Sequence, residues 1–424
     1  MLKHWKSLGD LPRPVWIVCA STLVNRAGSM VLSFLILYLT RERAFSPERA
    51  GFLLFLYGAG AIVAGPFAGR LADRWGSVPM MRASLFLSGT MLLLYPLARS
   101  LPALIACTVA LAMLTESFRP AAMSFFGEAV PTARRKSAFA LYRLAINLGM
   151  AVGPAVGGIL ATISFRYLFL ADGATSLLAA VVLALSGLPR RTRPAHAAPA
   201  GAGPAQSTAT RLRLSKAAHA DPRFLFFLAS VLPVCIVFFQ HMSSMPLFIV
   251  QGLGYTPRTF GLLFSLNCLL IVLLEVPLNA ATAHWSHRRT LALGALLSGA
   301  GFGGMAFARS IGALAATVAV WTFGEMLFFP ASATYATDVA PDARRGEYSG
   351  LYMTMFSTAF AIGPWAGTVV FERFGARVLW GLTFLLGAFA AALFLRMPEP
   401  ARHTEILESL PDAAGPIAPP PEPS

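Results

Sequence analysis

The chain has 424 residues, of which 56% are hydrophobic and only 12% charged, whereas ordinary soluble domains carry near 25% charge. That balance excludes an ordinary soluble enzyme or binding module and points to an integral membrane protein. The net charge of +15 would suggest nucleic acid in a soluble chain, but most of it falls on one side of a membrane, so no nucleic-acid partner is expected.

Apolar runs of roughly 20 residues, the length that crosses a bilayer, recur between short polar breaks. There are twelve: residues 15–39, 49–70, 81–98, 102–126, 137–161, 166–187, 223–250, 258–281, 289–308, 311–336, 347–370 and 376–396. The basic start MLKHWKSLGDLPRP precedes a run too long for a signal-peptide core and shows no small-residue cleavage site, so the first span is expected to persist. With the N-terminus inside, about 22 of the 34 Lys and Arg fall in cytoplasmic segments, about 9 outside, and Arg26, Arg119 and Arg143 within the membrane, as the positive-inside rule expects. An even number of spans then puts both termini in the cytoplasm. Cys19, Cys107, Cys235 and Cys268 sit inside apolar runs with no CxxC pairing and read as packing residues.

Taken along the chain, the first notable charge is Arg26, in the middle of the first span. GRLADRWG at 69–76 follows the second, with Asp73 as a lone acid among Arg70 and Arg74. Glu116 and Arg119 lie three apart in the fourth span, a spacing that lets them meet on one helix face. The fifth carries NLGMAVGPAVGGIL at 147–160. Gly149, Gly153 and Gly157 are four apart and share a helix face, and such faces let membrane helices approach closely. Pro154 removes one backbone bond and is tolerated in a membrane when neighbours satisfy the freed carbonyl. Residues 190–222, rich in Pro, Ala, Gly and Arg, read as a flexible cytoplasmic linker, and 398–424 as a disordered cytoplasmic tail. They divide the chain into an N-terminal six-helix bundle, 1–189, and a C-terminal one, 223–397.

The halves match at a fixed offset of 210 residues. Pro120 falls on Pro330, Pro131 on Pro341, Arg134 and Arg135 on Arg344 and Arg345, and Leu141 and Tyr142 on Leu351 and Tyr352. GPAVG at 153–157 falls on GPWAG at 363–367, which adds Gly363, Pro364 and Gly367 as the counterpart packing motif. Internal duplication is a signature of secondary transporters. The expected fold is therefore an all-α integral membrane protein of twelve transmembrane helices in two pseudo-symmetric six-helix bundles.

GRLADRWG resembles the loop signature of the major facilitator superfamily, a G-x-L-a-D-R-x-G pattern, through Gly69, Leu71, Ala72, Asp73, Arg74 and Gly76. The basic pair that usually follows is replaced by Ser77 and Val78. GPAVGG in the fifth span resembles the antiporter motif of the drug:proton antiporter branch. The resemblance covers residues 15–396 and implies a central cavity lined by the first, fourth, seventh and tenth helices, with Gly69, Asp73, Arg74 and Gly76 forming a cytoplasmic gate. Arg26, Glu116, Arg119, His241 and Glu325 all fall on those four helices, at depths where each ionisable group costs at least ~2.5 to 3.5 kcal/mol. They are the candidates for substrate binding and proton coupling. A carboxylate that takes up a proton when unpaired and loses it beside arginine provides such coupling, and Glu325, with no basic residue within a turn of its own helix, is the preferred one. Phe238, Phe239, Trp321, Phe323, Phe328 and Phe329 are candidates for an apolar lining. Arg143, Glu275 and Asp172 read as gate or packing residues.

No Walker A, GxSxG or HExxH motif is present, so neither enzyme chemistry, a cofactor nor a metal is expected; HWSH at 284–287 reads as a solvated basic loop. The expected function is secondary active transport in a bacterial inner membrane: proton-coupled, multidrug-type efflux of small amphiphilic compounds by a monomer. The alternatives are a transporter of one specific metabolite, sugar or siderophore, and a non-transporting membrane sensor.

Overall fold

A computed structural model describes residues 11–188, 217–341 and 344–398, apart from the side chains at 65, 66, 69, 73, 132, 133 and 136. Every regular element in it is helical. The spans are α1 (Arg13–Gly28 and Val31–Arg41), α2 (Pro47–Trp75), α3 (Ser77–Leu94), α4 (Leu101–Glu116 and Phe118–Ala129), α5 (Thr132–Ile163) and α6 (Phe165–Leu185). The second half holds α7 (Pro222–Phe238, continuing irregularly to Gly252), α8 (Pro257–Ala281), α9 (His287–Gly304) and α10 (Ile311–Asp338). The last two, α11 and α12, share the segment Arg345–Leu395 and part at Gly375, whose φ of 82° no helix accommodates.

Among the described residues, nine helical stretches are long and apolar enough to cross a membrane. One of them is the double span divided at Gly375. The charge-bearing α2 and the shorter α9 complete the twelve.

Starts and turns follow local chemistry. The hydroxyls of Ser46, Ser100, Thr256, Ser286 and Ser310 accept the backbone N–H three residues on, capping α2, α4, α8, α9 and α10; each such cap contributes about 1 kcal/mol. GRLADRWG, read as a loop from sequence, is helical through Trp75, and the chain reverses at Gly76 with φ 96°, a conformation that favours glycine. The segment 217–221, assigned by composition to the linker, is ordered: the Ala218 N–H donates to Glu347 and the Tyr348 hydroxyl to Asp221. The Arg344 guanidinium also donates to Glu347, at 2.8 Å. The rest of the linker, and the tail beyond 398, lie outside the described residues.

The apolar core divides in three. One cluster joins Leu11, Val78, Phe125, Tyr142 and Leu188 within the first half, and another joins Phe224, Tyr335, Tyr348 and Phe394 within the second. Both lie at the face of the bundle where 11, 188, 217 and 398 come together, the termini face. The third belongs to both halves, packing Phe34, Tyr38 and Phe169 with Phe248, Phe260 and Trp380 at the far face.

The glycine faces lie against broken helices. A methyl group added at Gly149 would lie 2.6 Å from Arg26 Cβ, and one at Gly157 2.8 Å from Met30 Cβ. In the second half Gly363 packs on Ile236 and Gly367 on Gln240. The residues touched are again 210 apart, so α5 sits on the break in α1 as α11 sits on the break in α7. Gly158 faces the other way, onto Pro257 and Arg258 of α8. A methyl at Gly153 would come no closer than 3.2 Å to the Arg26 carbonyl, whereas at Gly158 it would meet the Pro257 carbonyl at 2.8 Å. Overpacking costs about 1–3 kcal/mol, so Gly158→Ala, Gly153→Leu and Gly157→Leu are expected to lower the thermal unfolding midpoint in detergent by several degrees, with Gly153→Ala near wild type. Equal midpoints for Gly158→Ala and Gly153→Ala would show that the α5–α8 approach is not close.

Candidate functional site

Between the two termini-face cores lies a cavity of about 770 Å³, within the 300–1,000 Å³ of drug-sized ligand sites. The shared core closes it from the far face, and its exposed lining residues are Arg119, Met123, Arg143 and Met353. It is built around the break in α1. The helix stops at Gly28 and restarts at Val31, and the Asp172 carboxylate on α6 accepts the backbone N–H groups of Met30 and Val31 at 3.1 and 3.0 Å. A carboxylate at a helix N-terminus satisfies orphan donors and meets the positive end of the dipole. The Asn25 amide donates to Ser176 at 3.0 Å, completing the link to α6. The last turn before the break therefore turns Arg26 to the cavity; its Nε is buried without a hydrogen-bond partner.

The two walls differ in chemistry. The five Asp, Glu and Arg residues of the lining, Arg26, Glu116, Arg119, Arg143 and Asp172, come from the first half; the second half contributes Phe239, Met242, Met353, Phe356, Ser357 and Phe360. Several face each other in the repeat register: Ser29 and Phe239, Leu32 and Met242, Arg143 and Met353, Ile146 and Phe356, Met150 and Phe360 each stand 210 apart.

The sequence candidates are distributed unevenly. Arg26, Glu116 and Arg119 line the cavity. Glu116 ends one α4 segment and Arg119 lies in the next, with Ser117 between them donating to the Met113 carbonyl. Among the described residues no ion pair joins the two. His241 and Glu325 lie elsewhere. The His241 ring bonds the Phe238 carbonyl at 2.7 Å and stacks on Phe264 and Trp321 within the second half. Glu325 accepts from Asn267 at 2.8 Å, and Asn267 also donates to Thr322 at 3.0 Å, a polar cluster between α8 and α10. No described residue of α10 lines the cavity; Trp321 and Phe328 are core, so the expected lining from α10 is supplied by α11. Gly69, Asp73 and Arg74 fall in the last two turns of α2, ahead of the turn at Gly76; the side chains at 69 and 73 lie outside the described residues. Asn25, Tyr57 and Tyr142 were missed as lining residues; the short polar run NRAGS at 25–29 inside an apolar span was the signal for Asn25.

Among the described residues, Arg143 and Arg373 each pair with a carboxylate of the other half. On the termini side Arg143 pairs with Glu275 of α8. On the far face Arg373 of α11 donates to Glu48 of α2 at 3.0 and 3.1 Å, and the Gln251 amide donates to Thr40 at 2.7 Å.

The chain matches the Major Facilitator Superfamily over residues 18–257 and again over 238–419. It belongs to that family. It is 25% identical to the uncharacterized MFS-type transporter YqjV of Bacillus subtilis (strain 168), over 96% of this chain and 99% of that one. It is 24% identical to a Na(+), Li(+), K(+)/H(+) antiporter of Planococcus maritimus, over 87% of this chain and 90% of that one. A crystal structure of a D-xylose-proton symporter shares the fold, with a TM-score of 0.72 at 14% identity over 91% of this chain and 98% of that one. The chain is thus a multi-pass membrane transporter.

An exposed ion pair contributes up to about 1 kcal/mol, or roughly fivefold in population. Arg373→Gln is therefore expected to shift molecules toward a form open at the far face. Spin labels on Thr40→Cys and Gln251→Cys in a cysteine-free background should then report a larger long-distance fraction; an unaltered distribution would remove the pair from the gate.

Proposed function

We propose that this transporter exports small amphiphilic compounds across a bacterial inner membrane in exchange for protons, as a monomer with both termini in the cytoplasm. The carrying observation is the cavity between the halves, closed by a core common to both at one face and flanked by two separate cores at the other. With the termini face inside, this is the state in which an exporter loads from the cytoplasm. Rocking the halves about the cavity exchanges which face shares a core. The antiport activity named for the Planococcus maritimus relative agrees with this direction of coupling. Uptake of a specific polar metabolite is the second reading, favoured by the polar residues Asn25, Ser29, Ser33 and Thr115 on the first-half wall.

For the proton we retain Glu325. Asp172 is engaged as a helix cap, Glu275 pairs with Arg143, and Glu116 lines the substrate cavity, whereas the hydrogen-bond partner of Glu325 is a neutral amide. A proton site apart from the substrate site lets the two ligands act on opposite conformations rather than on each other. A proton falling through 100 mV releases about 2.3 kcal/mol, enough for roughly a 50-fold gradient. In proteoliposomes, Glu325→Gln is expected to abolish proton-driven accumulation while substrate exchange stays near wild type. If Glu116→Gln loses accumulation and Glu325→Gln keeps it, the proton site belongs to α4.

The segment ending at Gly76 is proposed as the cytoplasmic gate of the opposite state, held by Asp73. Asp73→Asn should reduce turnover far more than substrate binding. Unchanged transport at matched protein content would dismiss that role.

A further inference from the structure

We propose that the substrates are amphiphilic organic anions, molecules with a carboxylate, sulfonate or phosphate head and an aromatic or alkyl body. This rests on reading the cavity as the transport site. The charges that line it are unequally engaged. Asp172 spends one carboxylate oxygen on two backbone N–H groups, and Arg143 is paired with Glu275. Arg26 and Arg119 are left as lining guanidiniums outside any ion pair, and Glu116 as the lining carboxylate that no described donor engages. Among the described residues neither arginine has an acidic partner within 4.0 Å, and the buried Nε of Arg26 has no acceptor.

A guanidinium held in a low-dielectric cavity without an anion is unfavourable, and its planar donor fork fits the paired oxygens of an oxyanion. An entering anionic head supplies the missing acceptor. The body then lies against the opposite wall, where Phe239, Met242, Met353, Phe356 and Phe360 offer aromatic and thioether surface with no charge. A cationic amphiphile of the same shape would instead bring its charge to the arginines, with Glu116 as the lining carboxylate not already engaged.

The test compares naphthalene-2-sulfonate with 2-naphthyltrimethylammonium, which share a ring system and differ in the sign of the head. Equilibrium binding to the purified full chain and counterflow in phosphatidylcholine vesicles are measured without a proton gradient. The neutral vesicle removes anionic lipid as an occupant. The sulfonate is expected to bind and exchange at least about tenfold better than the ammonium, and Arg119→Gln to remove about tenfold of that affinity, with Arg119→Lys, which keeps the charge, restoring most of it. Arg119 is exposed in the cavity, so its substitution spares the packing that Arg26 makes with Gly149; an unshifted unfolding midpoint verifies this. Equal or tighter binding of the ammonium, binding of neither probe, or sulfonate affinity unaffected by Arg119→Gln overturns the proposal. Selective sulfonate exchange without accumulation under an imposed pH gradient would leave it standing and remove only the proton-driven export reading.

Discussion

A bilayer offers no water to a broken helix, so every backbone group released by a break must find a partner inside the protein. The interruption of α1 at Gly28–Met30 is the place where this constraint shapes the whole molecule. Asp172 reaches from α6 to take the two freed N–H groups, and the glycine face of α5 closes over the other side. Three spans are thereby fixed to one another at mid-depth. The turn that precedes the break presents Arg26, and the turn that follows it feeds Phe34 and Tyr38 into the shared core. In α7 the same problem is solved with an uncharged group: Gln240 donates to the Ile236 and Gly363 carbonyls and accepts from Ser244. A neutral amide leaves no charge beside the apolar wall.

The distribution of core explains how such a molecule moves without unfolding. The termini-face clusters each lie within one half, so a rotation between the halves leaves them intact. The far-face cluster crosses the boundary and must be exchanged for an equivalent contact at the other face. Close helix approach makes that exchange a rolling motion: α2 meets α11 where Gly58 lies against Ala361 and Gly51 against Thr368, and α5 meets α8 at Gly158 and Gly261. Small residues at these pivots keep the interhelical distance short while presenting no interlocked side chains to be withdrawn. The exposed pair of Glu48 and Arg373 adds an increment small enough to be reversed.

The fold was legible because hydropathy reports directly on the one property a span requires, an apolar stretch of sufficient length. The break inside α1 was not, because NRAGS alters hydropathy little while taking the backbone out of the helix at Ser29. The repeat offset was visible in sequence and extends to the residues that the glycines touch. Which face of a helix meets the cavity was less visible. On α10, Trp321, Glu325, Phe328 and Phe329 sit among residues that are apolar all round, so no amphipathic stripe marks an inner side. Helix number alone placed Glu325 and His241 beside Arg26; packing puts one with Asn267 and the other with Phe264 and Trp321.

The duplication also shows how the two walls came to differ. In the repeat register Arg26 stands opposite Ile236, Glu116 opposite Met326, Arg119 opposite Phe329 and Arg143 opposite Met353. Every ionised position of the first-half α1, α4 and α5 wall thus has an uncharged partner in the second. Two like-charged walls facing each other would repel across a low-dielectric gap and resist closure. One ionic wall and one apolar wall close without that cost, and only the ionic wall must give up water. Pseudo-symmetry of the backbone supplies the rocking motion, and asymmetry of the side chains gives the substrate a single orientation, head on the first half and body on the second.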